Sequence, residues 1–163
     1  MDHAASAARR RPTASTAGHD PSSASPRAGT RPRRPVIYLD SSAVLAYLLV
    51  EDRVPPEGLW REPLTSSRLL EYEVWTRIHA RKLARTHGDH ARALIGRVAL
   101  VELAPPVLAR ALEPFPRPVR TLDALHLASM EFLRAHGQAV QLASYDARLI
   151  TAARALKIPL YEL

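Results

Sequence analysis

The sequence contains no cysteine and no asparagine, and only two lysines beside 21 arginines. Without cysteine there is no disulfide framework, no thiolate metal site and no cysteine nucleophile, and a reducing compartment, the cytosol, is the default expectation. Long hydrophobic runs are missing as well. The longest, AVLAYLLV at residues 43–50, has eight residues, where crossing a bilayer takes roughly 20, so no membrane segment is expected. The first 35 residues hold no leucine, isoleucine, valine, phenylalanine, tyrosine or tryptophan and consist mainly of alanine, serine, proline and arginine. Such a segment cannot bury enough apolar surface to offset its ordering entropy, which predicts a disordered tail over residues 1–35. Its arginine-rich, acid-poor character also fits an organelle transit leader, although its prolines oppose the amphipathic helix such a signal needs. A third reading is an upstream extension of a domain that begins near Val36, in keeping with the GC-rich coding that the arginine bias suggests.

What charge there is sits at one end. Residues 1–35 carry +5 of the formal net +7, from seven arginines against Asp2 and Asp20, which leaves +2 for residues 36–163. That domain is nearly balanced, so the basic total is weak ground for nucleic-acid binding. Its length suits one domain with a sizeable core and one active site.

From Val36 onward, short β-rich runs alternate with longer helical ones. Strands are expected at 36–39, 64–66, 98–103, 139–143 and 158–161, where β-branched and apolar residues cluster. Helices are expected at 41–50, at 67–85 with Ser66 or Ser67 as cap, and at 90–97, 106–112, 121–136 and 147–156, the fifth of these stopped by Gly137. The alternation implies an α/β fold: a mainly parallel sheet of four to five strands with helices on both faces, a three-layer sandwich.

The acids of such a chain are placed tellingly. Asp40 directly follows the first strand in YLDSSAVL, and Asp146 follows the fourth in LASYDARL. Asp123 lies in the first turn of a helix in RTLDALHLASM, and Glu71 and Glu73 lie in the first turns of another in SSRLLEYEVWTR. In open α/β sheets functional groups collect beyond the carboxyl ends of the strands, where these segments converge. Each acid alone has a structural explanation, as a helix cap or as a charge at the positive end of the helix dipole. Jointly they repel, by about 4 kcal/mol for two unit charges ~4 Å apart at an effective dielectric of ~20. A divalent cation offsets that repulsion, and oxygen-only ligation selects Mg²⁺ or Mn²⁺. Such a site activates water and stabilises charge on a phosphoryl oxygen, as metal-dependent nucleases do. Helical periodicity does not choose between Glu71 and Glu73, since both border Leu69, Leu70, Val74 and Ile78.

In order and spacing these four stretches resemble the motifs of PIN-domain ribonucleases, particularly the VapC-type toxins of bacterial type II toxin–antitoxin pairs. The resemblance covers residues 36–163 and implies a PIN-like sandwich and a Mg²⁺- or Mn²⁺-dependent endoribonuclease acting on structured or messenger RNA. It also implies a homodimer, held inactive by a small cognate antitoxin. Position by position, it makes Asp40 and Asp123 metal ligands and Asp146 the fourth acid, often acting through water. It selects Glu73 over Glu71, because the family glutamate falls six residues after the serine and directly before a pair such as Val74-Trp75.

Around the acids, Ser41 offers a hydroxyl to a metal-held water or a phosphate, or simply starts a helix. Thr121 is expected to cap the helix of Asp123, and Ser144 resembles the family's hydroxyl two residues before the fourth acid. His126, on the same helix face as Asp123, reads as a satisfied, partly buried histidine, with proton transfer as the alternative. Arg148 either approaches a phosphate or is solvated. Trp60, Tyr72 and Trp75 read as core or dimer contacts rather than base-stacking platforms.

Two other strand–Asp–helix chemistries fit poorly. A haloacid-dehalogenase-type phosphotransferase wants a second aspartate where Ser42 stands. A phosphoacceptor receiver domain wants an acidic pair and a lysine that neither Lys82 nor Lys157 supplies. The non-enzymatic alternative is a PIN fold kept as a catalytically silent RNA-binding or scaffolding module, against which the presence of all four acids speaks.

Overall fold

The computed structural model describes residues 34–50 and 52–163. Of the tail expected over residues 1–35, all but Arg34 and Pro35 lies outside the described residues. Four strands, β1 (Val36–Leu39), β2 (Leu64–Ser67), β3 (Ala99–Val101) and β4 (Val140–Ala143), form one sheet in the order β3-β2-β1-β4, with every pairing parallel. β1 is central: Tyr38 stands opposite Thr65 on one side and Leu142 on the other. A central parallel strand is covered on both faces, which is why VIYL is an unbroken apolar run rather than an alternating one.

The helices are α1 (Ser41–Leu48), α2 (Leu69–Ala80), α3 (Ala84–Ile95), α4 (Pro105–Leu112), α5 (Thr121–Ala135) and α6 (Ala147–Ala155). Ile37 and Leu39 point into one cluster with Val44 of α1, Leu70 and Val74 of α2 and Leu94 of α3. Tyr38, one residue out of phase, points into another with Leu127 and Met130 of α5 and Leu149 of α6. The period of two along β1 thus divides the core into two layers, each burial contributing about 1.5–3 kcal/mol per large side chain. This is the expected three-layer α/β sandwich. No helix among the described residues is long and apolar enough to cross a membrane.

Several boundaries differ from expectation. Instead of one helix over 67–85 and another from 90, the chain turns at Arg81-Lys82, where Lys82 adopts φ 57°, and α3 begins at Ala84. α3 runs through Gly88, a helix-weakening residue, beside Trp75; a Cβ there would stand 3.4 Å from Cη2 of Trp75, an ordinary van der Waals contact. Ser66 and Ser67 do not cap α2. Its N-cap is Arg68, in helical conformation and without a side-chain cap bond, and the serines instead tie β2 to β1. The Ser66 hydroxyl donates to the Leu39 carbonyl at 2.6 Å, and the Ser67 amide to the Tyr38 hydroxyl at 3.0 Å. The expected strand at 158–161 shrinks to a single parallel bridge, Leu142 with Leu160, because Pro159 has no N–H with which to extend the ladder. A short 3-10 helix, Glu57–Arg61, was not apparent from periodicity and buries Leu59 and Trp60.

Candidate active site

β1 delivers Asp40 to the carboxyl edge of the sheet, where its amide bonds the Ala143 carbonyl of β4 at 3.0 Å. The chain turns directly into α1 because Asp40, extended at φ −87° and ψ 153°, is that helix's N-cap. Its Oδ2 accepts the Ser42 amide at 3.2 Å, the Ser42 hydroxyl at 2.5 Å and the Ser144 hydroxyl at 2.8 Å. The serine oxygens in turn accept backbone amides, Ser42 that of Tyr145 and Ser144 that of Asp146, both at 2.9 Å. The ends of β1 and β4 are thus laced together under one carboxylate that is 5% exposed. An ionised group so buried persists only with such compensation.

Glu73 reaches the same place from α2. A carboxylate oxygen of Asp40, one of Glu73 and a nitrogen of His126 all lie within 4.8 Å of one another. His126 Nε2 bonds Glu73 Oε2 at 2.9 Å, and its Nδ1 bonds the Tyr38 hydroxyl at 2.9 Å. Burial by itself would lower the pKa of His126; the Glu73 carboxylate that its Nε2 bonds, with the Asp40 charge beside it, raises it above the ordinary imidazole value. Glu71, two residues earlier, turns the other way. Its carboxylate pairs with Arg68 Nη1 at 3.3 Å, and Arg68 also grips Glu102.

Asp123 faces this group from the first turn of α5. Burial, then the charge of Asp146, then that of Asp40 push its carboxyl above the usual carboxylate range, against the opposing pull of the Arg120 amide and of Arg148. Asp123 stands at the third helical position of α5, on the side of the Arg120 amide. Asp146 is the N-cap of α6, its Oδ1 accepting the amides of Arg148 at 2.8 Å and Leu149 at 3.3 Å.

Compared with descriptions of known families, the chain matches the PIN domain over residues 37–159. It belongs to the PIN-domain family. Among solved structures, it is similar to VapC20 of Mycobacterium tuberculosis, described as a sarcin–ricin loop cleaving toxin. The two are 20% identical, with a TM-score of 0.50 over 71% of this chain and 94% of that one, a likeness of fold. A comparison with curated proteins finds no match.

This PIN domain therefore gathers Asp40 and Glu73 in contact range and sets Asp123 within the fields of Asp40 and Asp146. Of the hydroxyls to which the sequence pointed, Ser144 bonds Asp40 directly. Ser41 opens α1, half-buried, and it is Ser42 that bonds the carboxylate. Thr121 is not the cap of α5: the N-cap is Arg120, which has no side-chain cap bond, and Thr121 is exposed as the first helical residue. Arg148 is exposed, with its Nε 3.8 Å from Asp146 Oδ1. Trp60 is buried against Tyr47, and Trp75 lies half-buried under Arg92, whereas Tyr72 is 65% exposed and joins no core. His126 is satisfied and wholly buried, but its partner is Glu73. Only its position three residues after Asp123, on one helix face, hinted at that.

The donor set fits a hard divalent cation. Asp40 and Glu73 offer carboxylate oxygens within 4.8 Å of each other, and burial with the neighbouring acids sets a penalty on charged Asp123 that positive charge would relieve.

Proposed function

We propose that this PIN domain is a divalent-metal-dependent endoribonuclease of the VapC toxin type, with Asp40, Glu73, Asp123 and Asp146 holding Mg²⁺ or Mn²⁺. The observation that carries the reading is the convergence of Asp40 and Glu73 within 4.8 Å, from positions 33 residues apart in the chain, beside an Asp123 whose pKa is raised by burial and by its acidic neighbours. When bound, such an ion supplies charge that acidifies a water and offsets negative charge building on a phosphodiester. The residues themselves prepare the site. With all three of its bonds on Oδ2, Asp40 has Oδ1 available for binding, and the serine lacing holds it at the sheet edge. Asp123 and Asp146, each anchored by a helix start, are held in place before any ligand arrives.

An anionic polymer suits the adjoining surface. A groove of about 750 Å³ is lined, among the described residues, by Arg53, Arg77 and Arg81 with Asp52, and by Tyr145 and Ser42, whose hydroxyl bonds Asp40. Arginines along a track with an aromatic side chain at the reactive end are the general means of holding single-stranded nucleic acid. RNA rather than DNA as substrate, a small antitoxin as inhibitor, a homodimeric state and a cytosolic setting rest on the likeness to VapC toxins. The domain is assigned to residues 36–163, with residues 1–35 as its tail.

The test is cleavage of a mixed RNA by the full chain in Mn²⁺ and in EDTA, with Asp40→Asn as control. Metal-dependent cleavage lost in the variant supports the reading. Equal cleavage by Asp40→Asn, or RNA binding without cleavage in Mn²⁺, refutes it, the second in favour of a silent binding module.

A further inference from the structure

β1 and α5 each contribute two residues to this corner of the molecule. β1 supplies Asp40 and, two residues earlier on the same strand face, Tyr38; α5 supplies Asp123 and, one turn on, His126. Tyr38 and His126 are fully buried, at 0% and 1% exposure, and meet edge to face with ring centroids 5.8 Å apart. Their hydrogen bonds end on one acceptor. The Ser67 amide can only donate, and it donates to the Tyr38 oxygen at 3.0 Å. The tyrosine's own hydrogen is then directed to His126 Nδ1 at 2.9 Å, which leaves the ring hydrogen on Nε2, 2.9 Å from a Glu73 carboxylate that can only accept. If the ring is instead a cation, both nitrogens carry hydrogen, and Nε2 still donates to Glu73. In either state the terminal donor is the same.

We propose that the Ser67–Tyr38–His126 chain is a positioning relay that fixes the Glu73 carboxylate against Asp40 and so sets the metal affinity of the site. The inference rests on the reading of Glu73 as a metal ligand. Glu73 needs such help because its side chain is long, leaves α2 from the turn after Arg68, and must be held beside a like charge within 4.8 Å. A freely rotating glutamate would give up rotamer freedom on each binding event and would turn away from Asp40 between events. Partners that orient ligating carboxylates typically change metal affinity by about 10- to 100-fold when removed.

The test is Mn²⁺ binding to the full chain, measured by calorimetry in the absence of RNA. His126→Leu, which keeps bulk but has no donor, is expected to weaken Mn²⁺ binding by about 10- to 100-fold. His126→Gln, whose amide nitrogen reaches the position of Nε2, is expected to restore most of the loss. Tyr38→Phe, which keeps the ring and removes the hydroxyl, weakens binding in the same direction. A residue acting through Glu73 has nothing to act on once Glu73 is gone, so in a Glu73→Ala background the same substitutions are expected to change Mn²⁺ binding no further. An effect of equal size in both backgrounds, or wild-type affinity in His126→Leu, overturns the relay. If His126→Leu does not fold, the Tyr38→Phe and Glu73→Ala cycle decides the matter alone. A wild-type chain that takes up no Mn²⁺ overturns the reading of the site itself, and the relay with it, whereas normal uptake with additive variants overturns the relay only.

Discussion

Replacing Asp40 with asparagine separates its two duties, capping a helix and carrying charge. Asparagine is as good an N-cap as aspartate, and its amide oxygen can keep the Ser42 and Ser144 donors that now fall on Oδ2. What is lost is a charge within 4.8 Å of Glu73. Two unit charges at about that distance repel by roughly 3.5 kcal/mol at an effective dielectric of ~20. The His126 donor and partial hydration of Glu73 remove part of that, leaving a net relief of about 1–2 kcal/mol. Without metal, Asp40→Asn is therefore expected to be the more stable protein, by ~3–10 °C in melting temperature for a domain of this size. With metal the order inverts. Mn²⁺ at about 100 times its dissociation constant stabilises the wild type by ~2.7 kcal/mol, while the variant, lacking a ligand, gains little. Circular-dichroism melts of both proteins in EDTA and across a Mn²⁺ series should show the two curves crossing. An Asp40→Asn protein that melts below wild type in EDTA would show that the carboxylates do not repel as argued. Parallel rises with Mn²⁺ would show that Asp40 is no part of a metal site.

Glu73→Gln should abolish metal-dependent cleavage, whereas Glu71→Gln, which only breaks a half-exposed pair with Arg68, should leave cleavage intact and cost at most about 1 kcal/mol in urea unfolding. Asp146→Ala should lose about 1 kcal/mol of stability with the cap of α6, while Asp146→Asn keeps the cap; equal stability losses in the two would refute the capping role. The pKa of Asp123 is raised in the folded state, so its proton contributes stability that is fully present below the ordinary carboxylate range and lost as pH rises through the raised value. Urea midpoints in EDTA should accordingly show a fall with rising pH just above that range, absent in Asp123→Asn. In the groove, Arg53→Gln with Arg77→Gln in an Asp40→Asn background should reduce the salt dependence of single-stranded RNA binding by ~1.4 in log–log slope, about 0.7 for each phosphate no longer neutralised. The same change at exposed Arg154, on the other side of the sheet in α6, should leave the slope alone.

The architecture was legible because parallel sheets write themselves plainly. Val36–Leu39 is apolar throughout since it is covered on both faces, and α5 is bounded by an acid in its first turn and by Gly137, at φ 77°, just past its end. What escaped notice depended on contacts between segments distant in sequence. Nothing local distinguishes Ser67 as the end of a strand from Ser67 as a helix cap; its amide's bond to Tyr38, 29 residues away, decides it. The break between α2 and α3 falls at Lys82, held at φ 57°, a conformation that helix propensity does not predict for lysine.

The same distinction shows that the capping role of these acids and their proposed functional role are compatible. Asp40 caps α1, Asp146 caps α6, and Asp123 lies in the first turn of α5. A carboxylate that caps a helix is pinned by backbone amides, and in a parallel sheet the helices that follow the strands begin at one edge. Capping thus pins Asp40 and Asp146 at the sheet edge where the proposed site would form. Glu73 is the exception: it sits one turn into α2, beyond the reach of an N-terminal amide, and its fixed donor is instead the buried His126. The one acid that helix starts cannot hold is the one for which the fold supplies a separate support.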